Sequence, residues 1–394
     1  MHPLTRIAAI MGIVVLMVVG LTSGASAVSA APTVVGHVYV NDNTAGTNTI
    51  GAFNRFADGK LAPMDGSPFA AGGAGTGTII GSQGSLQVTD DGRYLLAVDA
   101  GSNQISVLRI DHDGELHPVG SPVGSGGIEP ISIAVHEDLV YVANEGNGTT
   151  GSNYTGFKLH DDGRLTPLSL STVSLPATAL PGDVFFSPDG KHLVGTEVGT
   201  TDPSTFLIDS FVVGHDGRLT AAPGSPFPAQ GAGPFGSEFR PTNSSQLYVS
   251  NAHGGANNGT VSAFKVAHNG VLTSIGASPY PDNQTAPCWV EITHDGRYLF
   301  TVNTASSSIS RYRIGTDGAL TLLGSTPFKN PAGLRPFDAR LSPDGDHLYV
   351  VDAGLDAVSI FAVDGGNLTE LSDSPVALPA GATPFGIVVI SQDD

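Results

Sequence analysis

The length, composition and charge of the chain limit its fold and its partners. The 394 residues can bury a large core, and a formal charge of −19 excludes nucleic acid as a partner because its phosphates would repel the protein. Cys288 is the only cysteine, so no internal disulfide can form and stability must come from burial and strand pairing. Abundant Gly, Ser, Thr, Pro and Asn are typical of short strands joined by tight turns.

The first thirty residues have the pattern of an export signal. Arg6 provides a positive charge, Ile7 to Leu21 is almost purely apolar, and small residues follow up to Ala30. This order predicts a Sec-type signal peptide over residues 1–30, cleaved near Ala27 or Ala30, and a secreted protein. The alternative is an uncleaved anchor, but the apolar run is short for a membrane span of about 20 residues. No later run is apolar enough to cross a membrane.

One turn motif recurs along the rest of the chain. Its copies are Asp58-Gly59-Lys60-Leu61, Asp113-Gly114-Glu115-Leu116, Asp162-Gly163-Arg164-Leu165, Asp216-Gly217-Arg218-Leu219, Asn269-Gly270-Val271-Leu272, Asp317-Gly318-Ala319-Leu320 and the degenerate Gly365-Gly366-Asn367-Leu368. Successive second-position glycines are 55, 49, 54, 53, 48 and 48 residues apart. Asp-Gly and Asn-Gly favour hairpin turns, whose central positions need positive φ.

The residues between the turns predict four short strands per repeat. Segments such as Pro336 to Gly345 lead into β-branched and aromatic runs, then into a polar turn and an alternating run such as Ala357 to Val363. No stretch has helical periodicity. Seven four-stranded units of about 50 residues predict an all-β fold, a seven-bladed β-propeller over residues 31–394.

The two ends of the predicted propeller are complementary. Pro384 to Ile390 is an inner strand with no strand after it, and Val38 to Asn41 is a second strand with no inner strand before it. Pairing them closes the ring and removes two open edges. The alternative, a pair of β-sandwiches, does not account for this complementarity.

The repeats resemble the propeller lactonase family, which includes 6-phosphogluconolactonase and fungal-type carboxymuconate lactonizing enzymes. The resemblance is carried by Ser187-Pro188-Asp189-Gly190, Ser342-Pro343-Asp344-Gly345 with Leu348-Tyr349-Val350, and the Asp-Gly-x-Leu turns. It covers nearly all of the predicted mature chain and implies a propeller fold. The Tyr-Val runs are also similar to the YVTN repeats of surface-layer propellers.

The chain departs from the catalytic pattern of the family it resembles. Members have a Gly-Pro-Arg-His segment that opens an inner strand, and the matching segment here is Gly233-Pro234-Phe235-Gly236. An inner strand one blade earlier often brings a histidine, where this chain has Pro181-Gly182-Asp183-Val184. An Asn-Glu pair at the next strand end is replaced by Asn251-Ala252. The family mechanism therefore does not transfer residue by residue.

Alignment of the inner strands predicts columns of side chains at the central channel. One column is Gln87, Ala134, Phe185, Glu238, Glu291, Arg340 and Val388, and another is Ser85, Ser132, Asp183, Gly236, Trp289, Asp338 and Gly386. Glu238, Glu291 and Arg340 lie on consecutive blades and are the candidate catalytic residues. Two close carboxylates can form an acid/base pair, and Arg340 can hold an anion. The alternative is a structural salt-bridge network in the channel wall.

Four further residues are candidate ligand-binding residues: Asp183, Trp289, Asp338 and His253. Trp289 is the only tryptophan and can stack on a ligand, although packing is the more common role of such a residue. His253 lies in a long Gly/Asn-rich loop, which is either a ligand loop or a solvated turn. Cys288 is expected to be a buried, inert thiol.

No sequence pattern indicates a cofactor. The glycines from Gly72 to Gly84 lack the lysine and the strand–helix context of a phosphate site, and the histidines are too scattered to bind zinc. The polar ends of the second strands are expected to cap turns, although their oxygens could also bind Ca²⁺. They are Asn41, Asp99, Asn144, Glu197, Asn251, Asn303 and Asp352.

Two functions follow from these observations. The first is a monomeric, secreted scaffold that binds a small molecule, a carbohydrate or an extracellular protein. The second is a lactone hydrolase or muconate-type cycloisomerase that acts on lactones or sugar acids through a rebuilt site at Glu238, Glu291 and Arg340. Propellers have many functions, so the fold does not decide between them.

Overall fold

The repeats form short antiparallel strands throughout the part of the chain that the computed structural model describes, residues 33–392. The predicted signal peptide, residues 1–30, lies outside the described residues and stays a prediction. The strands are β1 (Val34–Asn41), β2 (Thr49–Phe56), β3 (Leu61–Pro63), β4 (Phe69–Ala70), β5 (Leu86–Val88), β6 (Tyr94–Asp99), β7 (Gln104–Ile110), β8 (Leu116–Pro118), β9 (Val123–Gly124), β10 (Pro130–His136), β11 (Leu139–Asn144), β12 (Asn153–Leu159), β13 (Leu165–Pro167), β14 (Val173–Ser174), β15 (Pro181–Phe186), β16 (His192–Glu197), β17 (Leu207–Val213), β18 (Leu219–Ala221), β19 (Phe227–Pro228), β20 (Pro234–Arg240), β21 (Asn243–Asn251), β22 (Thr260–Val266), β23 (Leu272–Ser274), β24 (Tyr280–Pro281), β25 (Pro287–Ile292), β26 (Tyr298–Asn303), β27 (Ser308–Ile314), β28 (Leu320–Pro327), β29 (Pro336–Leu341), β30 (His347–Asp352), β31 (Ala357–Asp364), β32 (Asn367–Glu370), β33 (Val376–Ala377) and β34 (Ile387–Ser391). Between residues 33 and 392 the helical segments are two 3₁₀ turns, Ala100–Ser102 and Pro203–Thr205, and no helix there is long and apolar enough to span a membrane.

The strands form seven sheets, the blades of the propeller. Blades 1 to 4 are β5–β9, β10–β14, β15–β19 and β20–β24, blade 5 is β25–β28, blade 6 is β29–β33, and blade 7 is β34 with β1–β4. In six blades a two-residue fifth strand pairs with the third strand, and in blade 5 one long strand takes the place of both outer pieces. The seven inner strands contact one another in a closed ring. The predicted seven-bladed β-propeller is therefore confirmed.

Blade 7 joins the two ends of the described chain. Strand β1 pairs with β34 on one side, with Val38 opposite Val389, and with β2 on the other. The amide of Asn41 also donates to the carbonyl oxygen of Gly386 at 3.2 Å. The predicted closure by Val38–Asn41 and the final strand is confirmed, and the alternative of two β-sandwiches is excluded.

The glycine of the repeated turn holds neighbouring blades together. Gly114 has a φ of +80°, and a Cβ added there would overlap the ring of His37 in the adjacent blade. The hydroxyl of Tyr39 donates to the carbonyl oxygen of Gly114 at 2.7 Å. The same bond recurs between other blades, from Tyr141 to Gly217, from Tyr248 to Gly318 and from Tyr349 to Gly59. The motif therefore serves packing between blades as well as hairpin geometry.

Proline opens six of the seven inner-strand segments. These residues are Pro130, Pro181, Pro234, Pro287, Pro336 and Pro384. Each stands three residues before the residue that lies between the two predicted columns, which is Ile133 in blade 2. In blade 1 that residue is Leu86, and Gln83 stands three residues before it. The linker that leads to Gln83 runs from Ala71 to Ser82, whereas the linker between β9 and Pro130 has only five residues. Blade 1 therefore begins with an insertion at the centre of the ring.

Candidate functional site

Glu291 and Arg340 form an ion pair between two inner strands. Arg340 Nη1 lies 3.3 Å from Glu291 Oε2, and the side chains are 16% and 9% exposed. The amide of Leu341 donates to Glu291 Oε1 at 2.7 Å. Arg340 Nη1 also lies 3.4 Å from Asp338 Oδ1 and donates to the carbonyl oxygen of Ala339 at 2.9 Å. The guanidinium is thus already neutralised by protein carboxylates.

Glu238 interacts with this pair but keeps one oxygen unpaired. Its carboxyl accepts a hydrogen bond from the amide of Ile292, whereas Oε2 is buried and has no hydrogen-bond partner. Burial, and secondly the charge of Glu291, raise the pKa of Glu238 well above its usual value. The raised pKa favours the protonated, neutral form of the Glu238 carboxyl. The predicted neighbours Glu238, Glu291 and Arg340 do lie together, while a catalytic role for them stays a prediction.

Asp183 and Asp338 connect blades to one another. The amide and the hydroxyl of Ser237, in the next blade, donate to Asp183 Oδ2 at 2.9 and 2.6 Å. The amide of Gly84 donates to Asp338 Oδ2 at 3.1 Å. Both aspartates are fully buried, and burial raises the pKa of Asp183 to about 7. The protein therefore satisfies the oxygens of both aspartates, while a ligand-binding role for them stays a prediction.

Trp289 is the centre of a buried aromatic cluster. Its ring stacks on Phe337 with centroids 4.6 Å apart and meets Phe235 edge-on at 5.2 Å. The indole nitrogen donates to the carbonyl oxygen of Ser82 at 2.7 Å, and the residue is 1% exposed. The side chain is therefore occupied by packing, which was the alternative to stacking on a ligand.

His253 lies apart from the inner strands, in the loop between β21 and β22. It is exposed, its ring meets Phe206 edge-on at 6.5 Å, and its amide donates to the carbonyl oxygen of Ala232 at 2.9 Å. Partial burial lowers the pKa of the imidazole. Of the four predicted ligand-binding residues, His253 is the one whose side chain faces solvent.

A segment that sequence reasoning missed crosses the mouth of the channel. We call Ile80–Gly84 the cross-channel segment. Its hydrogen bonds reach five blades: Ser82 Oγ to Ile131 O (2.7 Å), Gln83 N to Gly182 O (3.0 Å), Gln83 Nε2 to Ser237 O (3.0 Å), Val290 N to Gln83 Oε1 (3.0 Å), Trp289 Nε1 to Ser82 O (2.7 Å) and Gly84 N to Asp338 Oδ2 (3.1 Å). Ile80, Ser82 and Gln83 are buried. The signals for this segment in the sequence are the long linker and the missing proline, not the glycines from Gly72 to Gly84.

Gln83 takes the place of a side chain that Gly236 lacks. A Cβ added to Gly236 would overlap Gln83 Oε1 and the carbonyl oxygen of Cys288. Asp183 occupies the same column in blade 3, and its carboxylate accepts the amide of Ser237 from blade 4. Gly236 has no side chain to accept the equivalent amide of blade 5, Val290, so Gln83 Oε1 accepts it instead. Gly236 and the cross-channel segment are therefore structurally complementary.

A second carboxyl pair lies at the polar ends of the second strands. Glu197 and Asp209 interact, and the hydroxyl of Tyr154 donates to Asp209 Oδ2 at 3.1 Å. Burial raises the pKa of Glu197 to about 8 and that of Asp209 to about 6. The proximity of Asp209 to Glu197 was not predicted, because the two lie on different strands.

Other members of this polar set cap turns as predicted. Asn41 Oδ1 accepts the amide of Asn43 at 3.1 Å, and Asp352 Oδ1 accepts the amide of Gly354 at 3.0 Å. From Thr33 to Gln392, no group of three or more His, Cys, Asp or Glu side chains is placed to hold a metal ion. Cys288 is buried, and burial raises the pKa of its thiol to about 12, as expected for an inert cysteine.

One surface groove does not coincide with these residues. It has a volume of about 700 Å³ and is lined by hairpin residues of blades 2 and 3, including His136, Lys158, Asp189 and His215. None of the seven predicted site residues lines it. The candidate site is therefore the covered centre of the ring.

Comparison with known proteins finds a lactonase family model that matches part of the chain. The model of the family described as "Lactonase, 7-bladed beta-propeller" matches residues 238–390. The 6-phosphogluconolactonase of Yersinia enterocolitica is 22% identical over 338 residues, which cover 74% of this chain and 96% of that protein. The similarity to YVTN repeats stays a prediction.

Solved structures show the same fold. The periplasmic gluconolactonase PpgL of Pseudomonas aeruginosa superposes with a TM-score of 0.70 at 19% identity, over 90% of this chain and 99% of that chain. A protein from Lactobacillus plantarum superposes with a TM-score of 0.69 at 19% identity, over 91% and 99% of the two chains. These superpositions and the closed ring of seven blades show a seven-bladed propeller fold, and residues 238–390 of this chain match the lactonase family model.

Proposed function

We propose that this protein is a secreted binding scaffold of the lactonase family that does not hydrolyse lactones. The observation that carries the proposal is the cross-channel segment, because it fills the mouth of the channel at the position of Gly236. Gly236 matches the histidine of the Gly-Pro-Arg-His segment of the family, and Phe235 matches its arginine. Phe235 packs on Trp289 instead of binding an anion.

The electrostatics of the channel support the same function. A lactonase needs a cation free to hold the substrate and a proton-transferring group that the substrate can reach. Arg340 is held by Glu291 and Asp338, and Ala252 stands where family members have a glutamate. Export is inferred from the N-terminal sequence, and the periplasmic gluconolactonase among the similar structures is consistent with it.

Lactone hydrolysis is the second candidate function, and one observation favours it. The carboxyl of Glu238 keeps a free oxygen beside Glu291, and its raised pKa would let it act as a general acid. The six-carbon lactone named by the curated relatives is then the first substrate to test. A substrate could reach Glu238 only after displacement of the cross-channel segment.

A lactonase assay separates the two functions. The protein starting at Thr33 is incubated with glucono-δ-lactone and 6-phosphogluconolactone, and proton release is followed with a pH indicator, with the Pseudomonas gluconolactonase as the positive control. If the protein is a scaffold, the rate of lactone hydrolysis in its presence equals the rate in buffer alone. Catalysed hydrolysis that disappears in both Glu238→Gln and Glu291→Gln but persists in the surface variant Glu115→Gln would overturn the proposal.

Ligand binding is tested in the same preparation. A ligand that binds only the folded state raises the melting temperature by mass action. Lactones, sugar acids, glycans and Ca²⁺ are therefore screened by thermal shift. A hit that depends on His253, the exposed candidate, and survives in Glu291→Gln supports a scaffold with a surface site.

A further inference from the structure

The outer edge of blade 5 differs from that of the other blades. Strand β28 runs for eight residues without interruption, whereas the fourth strands elsewhere have three or four residues and are followed by a separate two-residue strand. Ser325 pairs with Ser310 and occupies the edge position that is proline in five other blades. Those prolines are Pro68, Pro122, Pro226, Pro279 and Pro375.

Proline at this position protects a sheet edge. It has no amide hydrogen to donate and prevents the pairing of a further strand. In blade 7 the hydroxyl of the preceding residue, Ser67, accepts the amide of Ala52 at 2.9 Å and replaces a backbone bond. In blade 5 Gly324 takes the position of Ser67. Backbone pairing between β27 and β28 continues through Gly324 and is interrupted only by a bulge at Leu323.

The β28 edge is also uncharged and partly apolar. Its sequence, LTLLGSTP, has no acidic or basic residue. Leu323 is 42% exposed and is one of four large apolar side chains exposed within the described residues. Long, uncharged edges of this kind are templates for strand addition unless a partner covers them.

The charge around this edge indicates the kind of partner. The segment from Ser308 to Lys329 carries Arg311, Arg313 and Lys329 but a single acid, Asp317, in a chain with a net charge of −19. Arg311 Nη1 donates to Gly366 O at 3.0 Å, so its charge is not neutralised by that contact, whereas Lys329 lies beside the carboxylate of Glu370, which accepts the amide of Lys329 at 2.6 Å. At the strand position of the exposed Arg313, blade 2 has Lys158, which pairs with Asp138.

We infer that the β28 edge binds an extended peptide segment rich in acidic residues, which adds a strand to blade 5. Backbone hydrogen bonds to the edge provide the affinity, and the cations beside it select the acidic sequence. Two copies of this chain pairing through β28 would bring the same cations together, so like charges disfavour a second copy as the occupant. The inference holds whether or not the channel is catalytic.

Fluorescence anisotropy with a labelled ten-residue peptide of alternating threonine and glutamate tests this inference. Ser325→Pro introduces the proline that five other blades carry and should abolish binding without a large change in melting temperature. Arg313→Glu should weaken binding at least fivefold. Lys265→Glu is the matched control, because Lys265 is the exposed cation at the equivalent position of β22 beside a short edge, and it should bind like the wild type.

Each remaining outcome contradicts the inference. Absence of binding at millimolar peptide, equal binding of a threonine–lysine peptide, or equal binding by Ser325→Pro would each overturn it. Sedimentation of the protein alone is the last measurement. A dimer that Ser325→Pro converts to monomer would assign the edge to a second copy and would also overturn the peptide proposal.

Discussion

At the scale of single residues, the repeated glycine has two separable roles. Gly114 and Gly46 both have a φ near +80°, but a Cβ on Gly114 would overlap His37, whereas a Cβ on Gly46 would meet nothing within 4 Å. The two positions therefore separate backbone strain from contact between blades. The sequence predicted the turn but contained no sign of the contact, because His37 lies 77 residues earlier in the chain.

Replacing these glycines with alanine should measure both effects. Gly46→Ala should cost about 1 kcal/mol from the left-handed backbone alone, and Gly114→Ala should cost an additional 1–3 kcal/mol, roughly the range for overpacking. Urea denaturation measures both free energies of unfolding. Equal losses for the two variants would mean that the turn does not depend on its neighbouring blade.

The buried carboxyl pair should make stability depend on pH. Because the pKa of Glu197 is raised to about 8 in the folded protein, the pair binds an extra proton when folded. Its contribution to stability is complete below the unfolded pKa, near 4.5, and is lost as the pH rises through 8. The lowered pKa values of His37 and His347 act in the opposite direction as the pH falls below 6.5.

Glu197→Gln should reduce the loss of stability between pH 5 and pH 8. The amide keeps the shape of the protonated carboxyl but does not titrate, so the free energy of unfolding should vary less with pH than in the wild type. Urea denaturation at both pH values checks this, with Glu115→Gln on the surface as the control. An unchanged pH dependence would show that the pair does not share a proton.

At the scale of elements, the cross-channel segment is the main departure from a regular repeat. Alignment of the inner strands correctly placed Glu238, Glu291 and Arg340 near one another. The two-residue period of a strand determines the height of each side chain along the channel, and the blade order determines which side chains are neighbours around the axis. The alignment could not show that Asp183 and Trp289 are buried. The cross-channel segment Ile80–Gly84 lies over them, and its position is determined by hydrogen bonds to blades that are distant in the sequence.

Gln83→Ala should weaken the attachment of the cross-channel segment to the inner strands. The substitution removes the side-chain hydrogen bonds to Ser237 and Val290, and each is worth about 1 kcal/mol. The indole of Trp289, the only tryptophan, donates to the carbonyl oxygen of Ser82, and the only cysteine, Cys288, is the neighbouring residue in the same strand, so both report on the segment. Alkylation of Cys288 should accelerate about tenfold or more, since 1.4 kcal/mol is a factor of ten, and Trp289 emission should shift to the red.

The control for this experiment is Gln104→Ala, which changes a glutamine of blade 1 outside the segment. Its alkylation rate and emission should equal those of the wild type. If Gln83→Ala behaved in the same way, the segment would be held by its backbone contacts alone.

At the scale of the whole molecule, the ring depends on one strand from the other end of the chain. Strand β1 is central in blade 7, between β34 and β2. The complementary ends were visible in the sequence, because each lacked the strand that the other supplies. The blade count was visible as well, since each turn motif marks one repeat.

A protein that begins after Asp42 should fail to close. Without β1, strand β34 has no partner within its sheet and the ring has two open edges. We expect aggregation or loss of the single cooperative unfolding transition, followed by circular dichroism. Addition of a peptide of residues 33–43 should restore the transition, and the protein starting at Thr33 is the reference. Normal unfolding of the shortened protein would contradict this account of closure.

The position of the two ends in blade 7 has a consequence for engineering. The amide of Gln392 donates to the carbonyl oxygen of Val35 at 3.2 Å, so the termini of the described chain lie side by side. A short linker can therefore join them, and new termini can be cut in an exposed loop such as Gly254–Gly259. Such a circular permutant keeps the same seven sheets while moving the covalent break to another blade.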